Sequence, residues 1–315
     1  MRTLIVLMVL LCGAAQAQDY PTKSVRLIAA AAPGGNPDIL ARMLAAKLSD
    51  AFGRPFVVEN IPGAGGVVAA EQVARAAPDG HTLMLGDSGA MAINVALNPK
   101  LSYQPLKDFT LITALAAVPT VLVTNPALSA TSLNDFVKEA KAKQLAYGSA
   151  GSGSVHHLTM AVFASRAGVE LLHVPYKGGT ALVAALLGGE VQAGWSGIPN
   201  VASHIKSGKL RVLCISTARR SASLPGVPTA AELGFAGFDI ATVIGLQAPA
   251  GLPREIAARL QAAAARALRE PDIAERMANL GMELRENGSE HYARFVREDL
   301  ERYIGAVKAA GIKSD

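Results

Sequence analysis

The sequence predicts an α/β protein of two domains, each a mainly parallel sheet flanked by helices, with two segments crossing between them. Two observations carry this. A unit of short apolar strand, Gly-rich loop and helix is repeated within one run of the chain, which closes on a third strand, and the same grammar returns in a second run. The stretches that follow the runs are β-rich and contain Pro, as crossings between domains would.

The first run opens with a strand over residues 25–30 and a loop through Pro33, Gly34 and Gly35. Asn36 as N-cap and Pro37 at the first helical position predict a helix whose apolar face is Ile39, Leu40, Met43, Leu44 and Leu48. A strand over 56–60, a loop over 62–66, a helix over 67–76 and a strand over 81–85 follow, ending in Gly86, Asp87, Ser88 and Gly89. In the second run a strand over 145–147 enters the Gly/Ser loop 148–154, and a helix covers 155–166. A strand over 171–176, the loop Lys177 to Gly179, a helix over 180–187, a strand over 190–195 and a helix over 199–205 complete it. Residues 109–125 and 238–247 read as the crossing strands, and three Ala-rich amphipathic helices from Pro253 onward are expected to pack on the first domain. The expected division is a signal peptide over 1–17, domain one over 18–118 plus 245–315, and domain two over 119–244.

Composition narrows the function classes. The 315 residues are 50% hydrophobic and 17% charged, which suits two ordinary cores and excludes disorder, collagen and disulfide scaffolds. Mean hydropathy is +0.29, yet beyond the N-terminus every apolar stretch is interrupted before about 18 residues, so no membrane-spanning helix is expected. The formal charge of +5 carries no run of five like charges; it favours anions and does not form a nucleic-acid stripe. Arg2, the apolar run 4–11 and the small residues Ala15 and Ala17 read as an export signal cleaved after Ala17. Leu11 before Cys12 argues against lipid attachment. Cleavage leaves Cys214 alone in an apolar strand, where it reads as core.

The loops at 34–38, 86–89 and 148–154 bring small residues to strand ends just before helix N-termini, a setting that suits a carboxylate or phosphate. Gly86 to Gly89 also admits a secreted serine esterase using Ser88, although the elbow pattern is incomplete and no His is placed as its base. His156 and His157 are adjacent and diverge on a helix, so no metal site is expected, and no nucleotide or cofactor motif is present. Trp195 fits a core position or a cleft wall equally well.

At these residues the chain resembles the Bug, or TctC-like, family of extracytoplasmic solute receptors of tripartite tricarboxylate transporters. The resemblance covers Tyr20 to Lys313 and rests on many short pieces in one order. Among them are Pro33 to Gly35, Asp38 to Arg42, Val57 to Asn60, Pro62 to Gly66, Ala77 to Gly80, Ser149 to Gly151, His157 with Leu158, His173 to Gly178, Leu187 to Gly189, Val227 to Thr229 and Ala248 to Gly251. It implies a periplasmic, type II-like Venus flytrap, monomeric and non-enzymatic, that binds a small carboxylated molecule between its domains without a cofactor. Delivery to membrane subunits, or presentation to a signalling partner, would follow. Carried over residue by residue, it places Gly34, Gly35, Asn36 and Asp38 on one lip with Asp87 and Ser88 beside them. Ser149, Ala150, Gly151, Ser152, Ser154 and His157 form the other, with Trp195 and Ser196 at the strand end. Asn36 and Pro37 replace a common Gly-Thr, and Ser196 and Gly197 replace a common Asp-Asn, which alters the donors available to a ligand.

Overall fold

A computed structural model describes residues 20–309 except 99, 286 and 287. The export signal and its cleavage position lie outside the described residues, and no helix among those described is long and apolar enough to cross a membrane.

The first lobe is built on β1 (Val25–Ala29), β2 (Phe56–Asn60) and β3 (Thr82–Asp87), with α1 (Asn36–Phe52) and α2 (Val67–Ala74) between them. β1 pairs in parallel with both β2 and β3, as right-handed strand–helix–strand connections demand. Alternation along β1 sends Val25, Leu27 and Ala29 to one face and Ile28 to the other. The first face packs on Leu40, Leu44 and Leu48 of α1 and on α9 (Arg254–Arg269) and α10 (Pro271–Asn279). The second face receives Ala69, Ala70 and Val73 of α2. After β3 the chain winds through a π turn (Gly89–Ile93) into the short α3 (Asn94–Leu97) and α4 (Pro105–Asp108).

The second lobe repeats the plan. β5 (Leu145–Ser149) pairs in parallel with β6 (Leu171–Pro175) and β7 (Ala193–Gly197), connected through α6 (Val155–Ala167) and α7 (Gly179–Gly188). Phe136 of α5 (Leu133–Ala142) and Phe163 of α6 bury on one face, while Leu182 and Leu186 of α7 and Val201 of α8 (Ile198–Lys206) bury on the other.

One strand serves both lobes. β4 (Phe109–Thr124) is 16 residues long and buried along almost its whole length. Up to Pro119 it pairs antiparallel with β9 (Ala241–Pro249), and from Thr120 it pairs with β7 and β8 (Arg211–Ile215). Pro119, which has no N–H to give, sits where the partners change. β9 opens at Ala241, ahead of the expected return near residue 245, because Ala241 to Ile244 already hydrogen-bond to the first-lobe half of β4. Strand β10 (Glu283–Leu284) pairs with the same half.

The terminal helices differ from the expectation in one respect. α9 and α10 lie on the first lobe, but α11 (Gly288–Ala309) runs across both: Tyr292 and Val296 enter a first-lobe core, and Tyr303 enters the second-lobe core with Trp195, Phe163 and Phe238. Its apolar residues recur over six turns, so one helix can seat two anchors far apart along its axis. The seat for Tyr292 is the bare backbone of Gly245, where a Cβ would fall 2.2 Å from the phenol ring. Gly245→Ala is therefore expected to lower stability by about 1 to 3 kcal/mol through overpacking. Urea denaturation checks it, and an unchanged midpoint would show that the contact is soft.

Candidate functional site

Between the lobes lies a cavity of about 760 Å³, within the range of small-molecule sites. Four loops at strand ends wall it: Ala30 to Pro37, Pro62 to Val67, Ala150 to His157, and Tyr176 to Gly179. Asp87, Thr242 and Asn94 contribute from the strands and turn near the crossing, and Asn200 from α8. Apolar side chains, including Pro37, Val67, Leu97, Leu101 and Val155, supply much of the remaining wall.

The helices that point here differ in how their first N–H groups are satisfied. Ser154 caps α6, accepting from the His157 N–H at 3.3 Å. The N-caps of α1 and α7 are Gly35 and Gly178, neither with a side chain to cap, and both line the cavity. Their uncapped ends present N–H donors and a positive dipole end from opposite lobes. Lys177 stands beside them and is the only Lys or Arg among the described lining residues.

Among the described residues, three side-chain hydrogen bonds link the cavity loops of the two lobes. Asn200 Nδ2 donates to the Gly34 carbonyl at 2.8 Å, Thr180 Oγ1 to the Pro33 carbonyl at 3.1 Å, and Asn94 Nδ2 to the Gly153 carbonyl at 3.0 Å. Asn94 also donates to the Gly89 carbonyl at 2.9 Å, so its buried amide ties the π turn to the opposite loop. That approach requires Gly153: its φ is +73°, and a Cβ there would fall 2.0 Å from Asn94 Oδ1.

Of the expected site residues, Gly35, Asn36, Asp87, Ala150, Gly151, Ser152, Ser154 and His157 line the cavity. Asn36 is not the N-cap that the sequence suggests; the helix begins on it, and its Oδ1 is buried without a hydrogen-bond partner. His157 stacks on His173 with ring centroids 4.1 Å apart, and its Nδ1 accepts from the Gly153 N–H at 3.3 Å.

Of the other six, Gly34 is exposed at the lip, and Asp38, Ser88, Ser149, Trp195 and Ser196 are buried behind the wall. Asp38 accepts from the Gly34 N–H at 2.8 Å, from Asn60 Nδ2 at 2.8 Å and from Arg42 at 2.9 Å. Burial works against its charge, but Arg42, the Gly34 N–H and Asn60 hold its pKa below the usual carboxylate value. Gly34 is thus fixed from both sides, by Asp38 and by Asn200. Ser149 Oγ lies 2.7 Å from His173 Nε2 and accepts from the Gly151 N–H at 3.1 Å, bracing the loop from beneath. Trp195 is fully buried, stacked on Phe238 at 5.7 Å and edge-on to Phe163, so the core position wins over the cleft wall. Ser196 is fully buried in the β7–β4 ladder.

Ser88 is also buried, and its hydroxyl is occupied. It donates to Asp299 Oδ2 of α11 at 3.1 Å and accepts from the Val243 N–H at 3.2 Å. A carboxyl, not an imidazole, faces it, and burial pushes the Asp299 pKa up to about 6 despite Arg302. This is a buried joint between β3, β9 and α11, outside the cavity lining, with no imidazole beside the hydroxyl among the described residues. Cys214 is fully buried, and burial raises its thiol pKa.

Sequence reasoning missed Asn94, Thr242, Asn200 and the cavity role of His156. The one available signal was Asn94 itself, a polar residue inside the apolar run from Ala90 to Val95. Thr242 Oγ1 and His156 Nδ1 are buried without partners at the cavity wall. Among the described residues no group of His, Cys, Asp and Glu could hold a metal ion.

Comparison with known proteins converges on one family. The family model described as the tripartite tricarboxylate transporter family receptor matches residues 40–312. The chain belongs to that family. It is 36% identical over 300 residues to the protein BugT of Bordetella pertussis, covering 94% of this chain and 92% of that one. The R. palustris protein Rpa4515, solved with adipate, superposes with a TM-score of 0.90 at 33% identity, covering 93% of this chain and 99% of that one. MatC from Rhodopseudomonas palustris, solved with bound malate, gives 0.87 at 34% identity, covering 91% and 100%. The fold is therefore that of the periplasmic binding proteins, and the protein is a periplasmic solute receptor of the Bug/TctC type.

Two predictions concern groups around the site. Ser88→Ala orphans the Asp299 carboxyl and the Val243 N–H, so it is expected to cost about 1 to 3 kcal/mol in chemical denaturation; no loss would contradict the joint. Burial lowers the His156 pKa from 6.5 to about 4, so the folded protein keeps this ring neutral. Its contribution is intact above pH 6.5 and is lost as pH falls towards 4. Relative to His156→Asn, wild type should lose roughly 3 kcal/mol across that window, as measured by urea melts at a series of pH values.

Proposed function

We propose that the protein captures a small carboxylated molecule between its lobes and delivers it to the membrane subunits of a tripartite tricarboxylate-type transporter, acting as a monomer and without chemistry of its own. The observation that carries this is the pair of uncapped helix N-termini, α1 from one lobe and α7 from the other, that face one cavity beside Lys177. A carboxylate lying between them would accept N–H donors from both lobes and so favour the form in which the lobes meet. The two family members solved with adipate and malate support an acidic ligand.

Closure would turn on the two places where the chain passes between lobes, Pro119/Thr120 within β4 and the entry to β9 at Ala241. Domain one would then comprise the strands and helices before Pro119 and those from Ala241, and domain two the part between. Seen from outside, ligand binding would become a change in the shape offered to the membrane subunits.

The test is a thermal-shift series on residues 18–315 with mono-, di- and tricarboxylates, accompanied by two variants. Ala150→Pro deletes one N–H at the cavity. Gly197→Ala builds a Cβ 2.4 Å from Asn36 Nδ2 across the cleft, which props the lips apart. A saturable stabilisation of about 3 to 4 kcal/mol at high ligand is expected for wild type. Each variant should weaken binding roughly tenfold or more, and Gly197→Ala should also enlarge the radius of gyration with ligand present. A folded wild type that no carboxylate stabilises would refute the proposal.

A further inference from the structure

One cavity group has no role in holding a ligand carboxylate and would oppose it. Asp87 ends β3 on the cavity wall and is half-buried; it is the only Asp or Glu among the described lining residues. Its carboxyl accepts from the Gly89 N–H at 2.9 Å and is also held by the Ala90 N–H, and no Lys, Arg or His among the described residues forms an ion pair with it. Burial raises its pKa to about 6, so at neutral pH it is an ionised acceptor without a cation.

Besides these N–H donors, two backbone carbonyls lie close to it. A Cβ placed on Gly89 would lie 2.9 Å from Asp87 Oδ1, 2.8 Å from the Gly65 carbonyl and 3.7 Å from the Gly153 carbonyl, so both carbonyls sit in the neighbourhood of Asp87. Asn94 Nδ2 donates to both carbonyls, at 3.4 and 3.0 Å. Thr242 Oγ1, 2% exposed and without a partner, lines the same cavity from β9, whose Ile244 is the register partner of Asp87. The cavity is thus asymmetric: uncapped N–H groups and Lys177 at the lips, and a carboxylate with backbone carbonyls near the crossing strands. Apolar side chains, including Val67, Leu97, Leu101 and Val155, line the wall besides these.

We propose that Asp87 selects the ligand's second end, so that the receptor takes a monocarboxylate with an apolar body whose other end is a cationic amine, and discriminates against dicarboxylates. An ammonium group reaching Asp87 from the cavity would be paired by its carboxylate, with the carbonyls of Gly65 and Gly153 adding negative potential nearby. A second carboxylate there would meet a like charge away from bulk water, where repulsion is poorly screened. This rests on the reading of the cavity as a carboxylate receptor site and specifies the far end of its ligand.

The experiment compares molecules that differ only at that end: 6-aminohexanoate, hexanoate and adipate, and the ring series 4-(aminomethyl)benzoate, 4-methylbenzoate and terephthalate. Affinities of wild type and Asp87→Asn are measured by calorimetry at pH 7.5. Asn keeps an oxygen for the Gly89 N–H, so the turn is retained. In at least one series wild type should prefer the amino acid over the diacid by tenfold or more, and Asp87→Asn should reduce that ratio at least tenfold. Equal or tighter binding of the diacid to wild type, or a ratio unchanged in Asp87→Asn, overturns the proposal while leaving the carboxylate receptor intact. If hexanoate and methylbenzoate fail to bind along with all the others, and the wider carboxylate series also gives no shift, both readings fall together. The wild-type ranking alone decides the matter should the variant not fold.

Discussion

The architecture depends on a single strand being shared by two sheets. β4 cannot end at the edge of either lobe, because its first half is the antiparallel partner of β9 and its second half the partner of β7 and β8. Backbone groups buried along both halves must be hydrogen-bonded, so each lobe fixes the register of the other's strand. Pro119 lies where β4 changes partners, so its missing N–H falls at the boundary between the two ladders. With β4 fixed, the C-terminal ends of β1 and β3 face those of β5 and β7 across a gap, and the loops that leave them enclose the cavity.

α11 acts as a second tie with different chemistry. Tyr292 inserts against Gly245 in the first lobe, and Tyr303 packs with the second-lobe aromatics. Between these anchors lies the polar joint of Asp299, Ser88 and the Val243 N–H. Apolar anchors at the ends supply the burial, while the central hydrogen bonds specify the helix's rotation and register. The residue that most resembles a nucleophile in the sequence is thus part of the frame that holds β3 and β9 together beneath the cavity.

Much of the fold was legible because its punctuation is local. Gly-rich turns at strand ends, Pro37 at a helix start and the four-residue period from Ile256 to Leu268 are each short-range signals, and the predicted parallel strands are found close to their turns, except that the strand expected over 190–195 lies at Ala193–Gly197 and runs through the expected turn. The site was legible in its backbone and not in its side chains. Loops 34–36 and 150–154 were visible as small-residue turns, but whether Ser149 or Ser152 faces the cavity is decided by strand alternation and by a histidine distant in sequence. Trp195 could be resolved only by its neighbours Phe163 and Phe238, which come from other elements. Asn94 is the hardest case. Its importance comes from three carbonyls at residues 65, 89 and 153 that no spacing rule brings together. The straddling of α11 was likewise hidden, since an amphipathic pattern reports that a face is buried but not against what.

The bonds that join the lips all end on backbone carbonyls, at Pro33, Gly34 and Gly153. A carbonyl is present whatever the side chain, so the accepting atom of each latch is supplied by the backbone, although at Gly34 and Gly153 the approach also needs a residue without a Cβ. The side chains that give the cavity its character, among them Asp87, Leu97, Leu101 and Thr242, take no part in those latches. Substitutions that retune what fits inside are therefore mechanically decoupled from the act of closing. A receptor built this way can change its preferred cargo by one or two replacements without relearning how to shut.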